Sequence, residues 1–157
     1  HLSVYENLLV AARFGGAASA AEAPDLCLDI LRRTTLANVA ERSAGGLPLL
    51  QRKRLELARA LATRPKLLLL DEVLAGLNPQ EIGDMIPVVR GIAQSGITVL
   101  MIEHVMQAVM NLAEHVWVLA QGQLIAQGTP AEVTSNARVI EAYLGPGAAA
   151  RLREAVS

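Results

Sequence analysis

Four consecutive leucines, Leu67-Leu68-Leu69-Leu70, follow Pro65 and end on Asp71-Glu72. An unbroken apolar run of that length, between a proline and an acid, predicts a strand buried on both faces. Residues 97–102 form a second such run, ended by Glu103-His104. Between the two, Asn78-Pro79-Gln80-Glu81 offers a capping residue, a proline for the first helical position and a carboxylate three residues after the cap. The helix expected from that start runs to about Ser95, stops at Gly96 and kinks at Pro87. Strand, helix and strand in that order imply a right-handed crossover and a parallel sheet. Ligands of such sheets sit beyond the carboxyl ends of the strands, which singles out Asp71-Glu72 and Glu103-His104.

The remaining length suits one α/β domain. The chain has 157 residues, of which 52% are hydrophobic and 18% charged, enough apolar surface to offset chain entropy and exclude a disordered tail. A formal net charge of −1 provides no global field for nucleic acid. The single cysteine, Cys27, cannot form an internal disulfide, fits a reducing compartment and is expected to fill space in a helix stripe. No apolar run approaches the roughly 18 to 20 residues of a membrane-spanning helix, and no basic leader of a signal peptide is present. The first residue is His1 rather than Met, so the chain is expected to be a piece of something longer.

Ahead of the strands the grammar is helical. Ser3-Val4-Tyr5-Glu6 has capping-box spacing and predicts a helix through Ala12, stopped by Gly15-Gly16, with a loop over 14–23. Pro24 suits the first turn of a second helix, striped by Leu26, Ile30 and Leu31, to about Thr34. A shorter helical piece at 36–42 leads to a turn at Ala44-Gly45-Gly46. Pro48 opens a helix over 49–62, with Leu50, Leu57 and Leu61 on one face and Arg52, Lys53 and Arg54 on a solvated one. Beyond the second strand, 105–113 reads as helix. Segments 116–120 and 123–127 flank Gln121-Gly122 as a hairpin. Thr129-Pro130-Ala131-Glu132 caps a short helix, another lies near 138–144, and the tail from Gly145 is expected to fray. Met101, Met106 and Met110 have ordinary core spacing.

Asp71 is pinned by a rigid strand and is suited to holding Mg²⁺ through water, while Glu72 is placed to orient or deprotonate a water. Alone, the pair reads equally well as the acidic end of a strand. His104 alone reads more readily as structural. At the end of the neighbouring strand, 33 positions after Asp71, it faces the same crevice and can donate to a γ-phosphate oxygen.

Taken together, these motifs resemble the ATP-binding-cassette (ABC) ATPases. The run from Leu67 to Glu72 resembles their Walker B strand. Ala75-Gly76-Leu77-Asn78 sits where they carry the D-loop and His104 where they carry the switch histidine. The stretch at 47–61 lies where the signature motif and its helix belong. Within the family, Ala75-Gly76-Leu77-Asn78-Pro79, Ile102-Glu103-His104-Val105-Met106 and Val139-Ile140-Glu141-Ala142-Tyr143-Leu144-Gly145 are most similar to ATP-binding subunits of branched-chain amino-acid importers. The likeness covers residues 1–145. It implies a P-loop NTPase-like fold: a helical, signature-bearing subdomain at 1–62 and the C-terminal part of the ATPase core at 63–145. The N-terminal strands of that core are missing, and a disordered tail follows at 146–157.

The family's phosphate loop, G-x-x-x-x-G-K-[ST], has no counterpart, because neither lysine, Lys53 or Lys66, follows a glycine. The signature position reads Leu47-Pro48-Leu49-Leu50-Gln51, without the family's serine and glycines. A helix N-terminus with free backbone N–H groups survives there, and the departure reads as variation rather than inactivation. The resemblance implies two subunits sandwiching two ATP molecules. In that arrangement Asp71 holds the Mg²⁺ shell, Glu72 activates water and His104 steadies the γ-phosphate. Leu47, Pro48, Leu49, Leu50 and Gln51 face the nucleotide of the partner, and Asn78 couples the two sites. The implied partners are a second ABC ATPase subunit, transmembrane permease subunits and, indirectly, a periplasmic or extracellular substrate-binding protein, with no nucleic acid. The implied place is the cytoplasmic face of the membrane, as a peripheral subunit. The chain alone is expected to be inactive. Two rival readings are a non-catalytic interaction module derived from an ABC ATPase and a non-transport ABC ATPase acting on nucleic acid or ribosomes. The missing loop favours the first, against Asp71, Glu72 and His104; the second lacks a visible basic or aromatic insertion.

Overall fold

Ser3 opens the first helix, α1 (Val4–Phe14), through a full capping box. Its hydroxyl accepts from the Glu6 N–H at 3.1 Å and the Glu6 carboxylate accepts from the Ser3 N–H at 2.7 Å. The computed structural model describes residues 2–15, 18–145 and 147–148. Gly16, and most of the tail from Gly145, lie outside the described residues. By packing the chain divides into residues 1–104 and 105–157. The boundary expected at 62/63 falls inside the first unit.

In the first unit α1 continues two residues past Ala12 and buries Val4, Leu8 and Ala12 at four-residue spacing. Helix α2 (Ala23–Arg33) takes Pro24 in its first turn and buries Ala23, Cys27, Ile30 and Leu31, so Cys27 does line the stripe. The piece expected to be helical at 36–42 is a single 3-10 turn, Ala37–Val39, and Ala44–Gly46 forms another. Helix α3 (Leu49–Ala62) has the expected bounds, with Pro48 at its cap. These three helices pack on one another around Leu8, Ile30, Leu31, Leu57 and Leu61.

The basic triplet of α3 departs from expectation. Only Arg52 is exposed; Lys53 and Arg54 are half-buried. Arg54 donates to the Asp84 carbonyl at 3.0 Å while its Nε is buried without a partner among the described residues. Burial holds this guanidinium below its ordinary pKa, partly offset by the Asp84 charge. The long aliphatic stem lets an arginine cover apolar surface, which a charge count cannot reveal.

Strand β1 (Leu67–Asp71) pairs in parallel with β2 (Thr98–Ile102), from Leu67 opposite Thr98 to Asp71 opposite Ile102. Helix α4 (Pro79–Gln94) makes the connection, capped by Asn78 and Glu81 and burying Ile82, Met85, Ile86, Val88, Val89 and Ile92. The strands are not buried on both faces. Leu68 and Leu70 are buried, but Leu67 is 52% and Leu69 65% exposed. Across the register, Leu100 and Ile102 are exposed as well, at 47% and 63%. The pleat sends alternate side chains to opposite faces, and only one face is covered. Four leucines report apolarity, not coverage.

The second unit holds α5 (Met106–Leu112), β3 (Val116–Ala120), β4 (Gln123–Gly128), α6 (Pro130–Ser135) and α7 (Ala137–Leu144). β3 and β4 are antiparallel, with a register shift between Val118 and Leu119. Gln121 and Gly122 both have left-handed backbones, at φ +49° and +74°, the signature of a type I′ hairpin turn. Thr129 and Glu132 form the capping box of α6. Val118, Val133 and Val139 make a small core. Met106 and Met110 are exposed rather than core, and Met101 is half-buried.

Candidate functional site

The register that pairs Asp71 with Ile102 brings the two strand ends level, so the residues leaving β1 meet those leaving β2. The Glu72 N–H donates to the Ile102 carbonyl at 2.9 Å, extending the ladder by one bond. Glu72 then turns sharply, with φ at +46°. A left-handed backbone costs an L-residue about 1–2 kcal/mol, and such strain persists only where surrounding bonds over-determine it. Two are local: the bond to Ile102, and a second in which the Ala75 N–H donates to the Glu72 carbonyl at 3.0 Å.

The turn aims the Glu72 carboxylate at the imidazole, with Glu72 Oε1 3.6 Å from His104 Nδ1. The His104 and Glu72 side chains are 62% and 57% exposed, respectively. At that separation they form an ion pair only when the imidazole is protonated, and an exposed pair contributes at most about 1 kcal/mol. Stability does not explain the arrangement, which is an acid–imidazole pair open to solvent. Asp71 is exposed beside it, and among the described residues no side chain partners its carboxylate.

Glu103 is the residue that sequence reasoning left without a role. Val99 and Met101 point toward the covered side of β2, while Leu100 and Ile102 point to the open side. Continuing that alternation sends Glu103 inward and His104 outward. Glu103 is indeed half-buried; its Oε1 accepts from the Leu74 N–H at 3.1 Å and its Oε2 is buried with no partner among the described residues. Strand parity was the signal that could have found it.

Asn78 ends the same loop. Its Oδ1 accepts from the Glu81 N–H at 3.0 Å and its N–H donates to Glu81 Oε2 at 2.9 Å, so its side chain is engaged as a helix cap. The segment 47–51 starts α3: Leu47 is buried, Pro48 exposed, and Leu49, Leu50 and Gln51 half-buried. Pro48 offers no side-chain cap, and the helical ladder begins with the Arg52 N–H bonding the Pro48 carbonyl at 3.0 Å. The first-turn N–H groups therefore have no intrahelical acceptor. The segment meets the acidic loop through Leu49, whose Cδ2 would lie 3.1 Å from a Cβ placed on Gly76, where φ is +81°. The structure thus gathers Asp71, Glu72 and His104 at one edge. Asn78 and residues 47–51 flank the loop without joining the acid–imidazole pair. Among the described residues no cluster of three or more His, Cys, Asp or Glu is arranged to hold a metal, and no helix is long and apolar enough to cross a membrane.

Comparison with known proteins bears on this arrangement. A family model described as a branched-chain amino acid ATP-binding cassette transporter matches residues 123–146. The chain is 43% identical over 125 residues to the high-affinity branched-chain amino acid transport ATP-binding protein BraF of Pseudomonas aeruginosa, covering 79% of this chain and 49% of BraF. It is 37% identical to LivG of Salmonella typhimurium, a protein of the same description, over 92% of this chain and 62% of LivG. It is also 33% identical to the lipopolysaccharide export system ATP-binding protein LptB of Escherichia coli, over 92% of this chain and 60% of LptB. Among solved structures, MJ1267, an ATP-binding cassette of an ABC transporter, superposes with a TM-score of 0.80 at 32% identity, covering 91% of this chain and 63% of that one. The chain spans about half to five-eighths of the length of these relatives. Sequence and structure agree that the chain is similar to the ATP-binding-cassette ATPases, and in particular to the ATP-binding subunits of branched-chain amino-acid importers.

Proposed function

We propose that the chain is the C-terminal part of the ATP-hydrolysing subunit of an ABC importer that takes up branched-chain amino acids. The observation carrying this reading is the Glu72–His104 pair at the carboxyl edge of two parallel strands, with Asp71 beside it. In this reading residues 1–62 are the signature-bearing helical part and residues 63–145 belong to the ATPase core. The open apolar face of Leu67, Leu69, Leu100 and Ile102 is then the side that the longer relatives' additional polypeptide covers.

The donor set suits Mg²⁺ in the manner of phosphoryl-transfer sites. That ion keeps several waters and takes one or two carboxylates plus substrate phosphates, and Asp71 is an exposed carboxylate that no side chain partners among the described residues. Asp71 would hold such an ion through its waters, and the ion would supply positive charge against the phosphates. Glu72 accepts a proton from the attacking water as the water oxygen bonds to the γ-phosphorus and the bond to the β-phosphate oxygen breaks, giving ADP and phosphate. His104 donates from its imidazole to a γ-phosphate oxygen. The first-turn N–H groups at Leu49, Leu50 and Gln51 present a positive helix end to the nucleotide of a second subunit, with Leu47 and Pro48 setting the entry to that helix and Asn78 lying toward the shared interface. The second ABC ATPase subunit, the transmembrane permeases and, indirectly, a substrate-binding protein complete the assembly at the cytoplasmic face of the membrane.

The likeness to LptB supports a second reading, an ATPase serving export. The higher identity to BraF and LivG and the family match at 123–146 favour the importer. The test is a full-length subunit in which this chain replaces the corresponding part of BraF. It should show Mg²⁺-dependent ATPase activity, and Glu72→Gln should lower kcat by ~10²–10⁴-fold while ATP still binds. Undiminished turnover in that variant removes Glu72 from the role of base.

A further inference from the structure

We infer that Glu103 is a positioning residue: it clamps the loop after β1 to the end of β2 and so holds Glu72 in the left-handed conformation that presents its carboxylate to His104. The inference deepens the reading of the same site and rests on it for its functional meaning.

Three observations carry it. The Leu74 N–H donates to Glu103 Oε1 at 3.1 Å across 29 positions of sequence, tying the middle of the 72–77 loop to the strand that delivers His104. Glu72 sits at φ +46° in a turn that the Ala75 N–H closes on its carbonyl; Leu74 lies inside that turn, is 2% exposed and accepts at its carbonyl from the Leu77 N–H at 3.2 Å, so these bonds hold the loop to itself and the bond from the Leu74 N–H to Glu103 ties it to the end of β2. Among the described residues Glu103 Oε2 is buried with no partner, a costly way to bury a carboxylate if packing were its whole purpose. A clamp made by the neighbour of His104 moves with His104. Any displacement of the β2 end therefore carries the loop along and keeps the acid–imidazole separation constant.

The test uses the 157-residue chain without nucleotide. In the unsubstituted chain, NMR should detect scalar coupling across the hydrogen bond between the Leu74 amide nitrogen and the Glu103 carboxyl carbon; its absence overturns the clamp whatever the variants do. Glu103→Leu should speed exchange of the Leu74 amide at least tenfold. Glu103→Gln, whose carbonyl accepts the same bond, should preserve the protection. The readout that mere structural support would not move is coupling within the site. Glu72→Gln should shift the His104 Nδ1 resonance in the native and Glu103→Gln backgrounds and leave it unmoved in the Glu103→Leu background. An equal shift in all three overturns the inference. In the full-length chimera, Glu103→Leu should lower kcat by ~10–100-fold with little change in KM for ATP, as expected when a catalytic group loses its aim. The NMR measurements need no hydrolysis, so their failure removes Glu103 alone. A chimera without ATPase activity, with the couplings intact, instead overturns the functional reading and leaves the clamp standing.

Discussion

Replacing Glu72 by glycine and, in parallel, by alanine isolates the backbone strain at the proposed base. Both variants lose the same exposed contact with His104, so that contribution cancels between them. What differs is the cost of φ at +46°. Alanine bears the left-handed penalty of about 1–2 kcal/mol and glycine does not. Glycine gives back about 0.5–1 kcal/mol through its greater freedom in the unfolded chain. Glycine should therefore match alanine or exceed it in stability by up to about 1.5 kcal/mol, or up to roughly 6 °C in Tm for a chain of this size. At an ordinary position alanine is the more stable of the two. Urea unfolding followed by far-UV circular dichroism gives the comparison directly. Alanine more stable than glycine, the order at an ordinary position, would refute the strained conformation, and with it the claim that the fold aims this carboxylate.

The packing and the caps carry further consequences. Asn78→Ala should cost about 0.5–2 kcal/mol in urea unfolding, while Asn78→Asp, which keeps an accepting oxygen, should cost much less. Leu57→Ala, at a buried position, should destabilise by about 2–5 kcal/mol, whereas Leu69→Ala on the open strand face should stay within about 0.5 kcal/mol. Thr129 holds the Glu132 carboxylate below its ordinary range, first through the backbone N–H and then through the hydroxyl, with His115 adding a smaller attraction. A depressed carboxylate contributes stability above its unfolded pKa and loses it as pH falls through the folded value, so α6 should loosen only below the usual glutamate range. Thr129→Ala should move the Glu132 titration, followed by carboxyl-carbon NMR, upward.

Much of this architecture was legible in the sequence because its signals are local. Ser3 with Glu6, Asn78 with Glu81 and Thr129 with Glu132 each form the expected capping box, since the partners lie three residues apart and need nothing distant. Gln121-Gly122 makes the hairpin turn for the same reason. The non-local features were the ones misread. Leu67 and Leu69 belong to an apolar run, yet whether a face is covered depends on chain elsewhere. Arg54 looks solvated until Asp84, 30 residues on, supplies its acceptor. Asp71, Glu72 and His104 were legible as strand-end residues, and the register that levels the strands brings them together. The left-handed turn at Glu72 carries no glycine to announce it, and Glu103 was hidden behind the histidine that comes after it.

The central claim is that Glu72 and His104 act together on one bound nucleotide. A double-mutant cycle on kcat in the full-length chimera, with Glu72→Gln, His104→Ala and the two combined, tests it most directly. The account predicts strong non-additivity, the double variant turning over ATP about as slowly as the slower single variant, because both groups serve one transition state. Losses that simply multiply, as for residues acting in separate places, would contradict it.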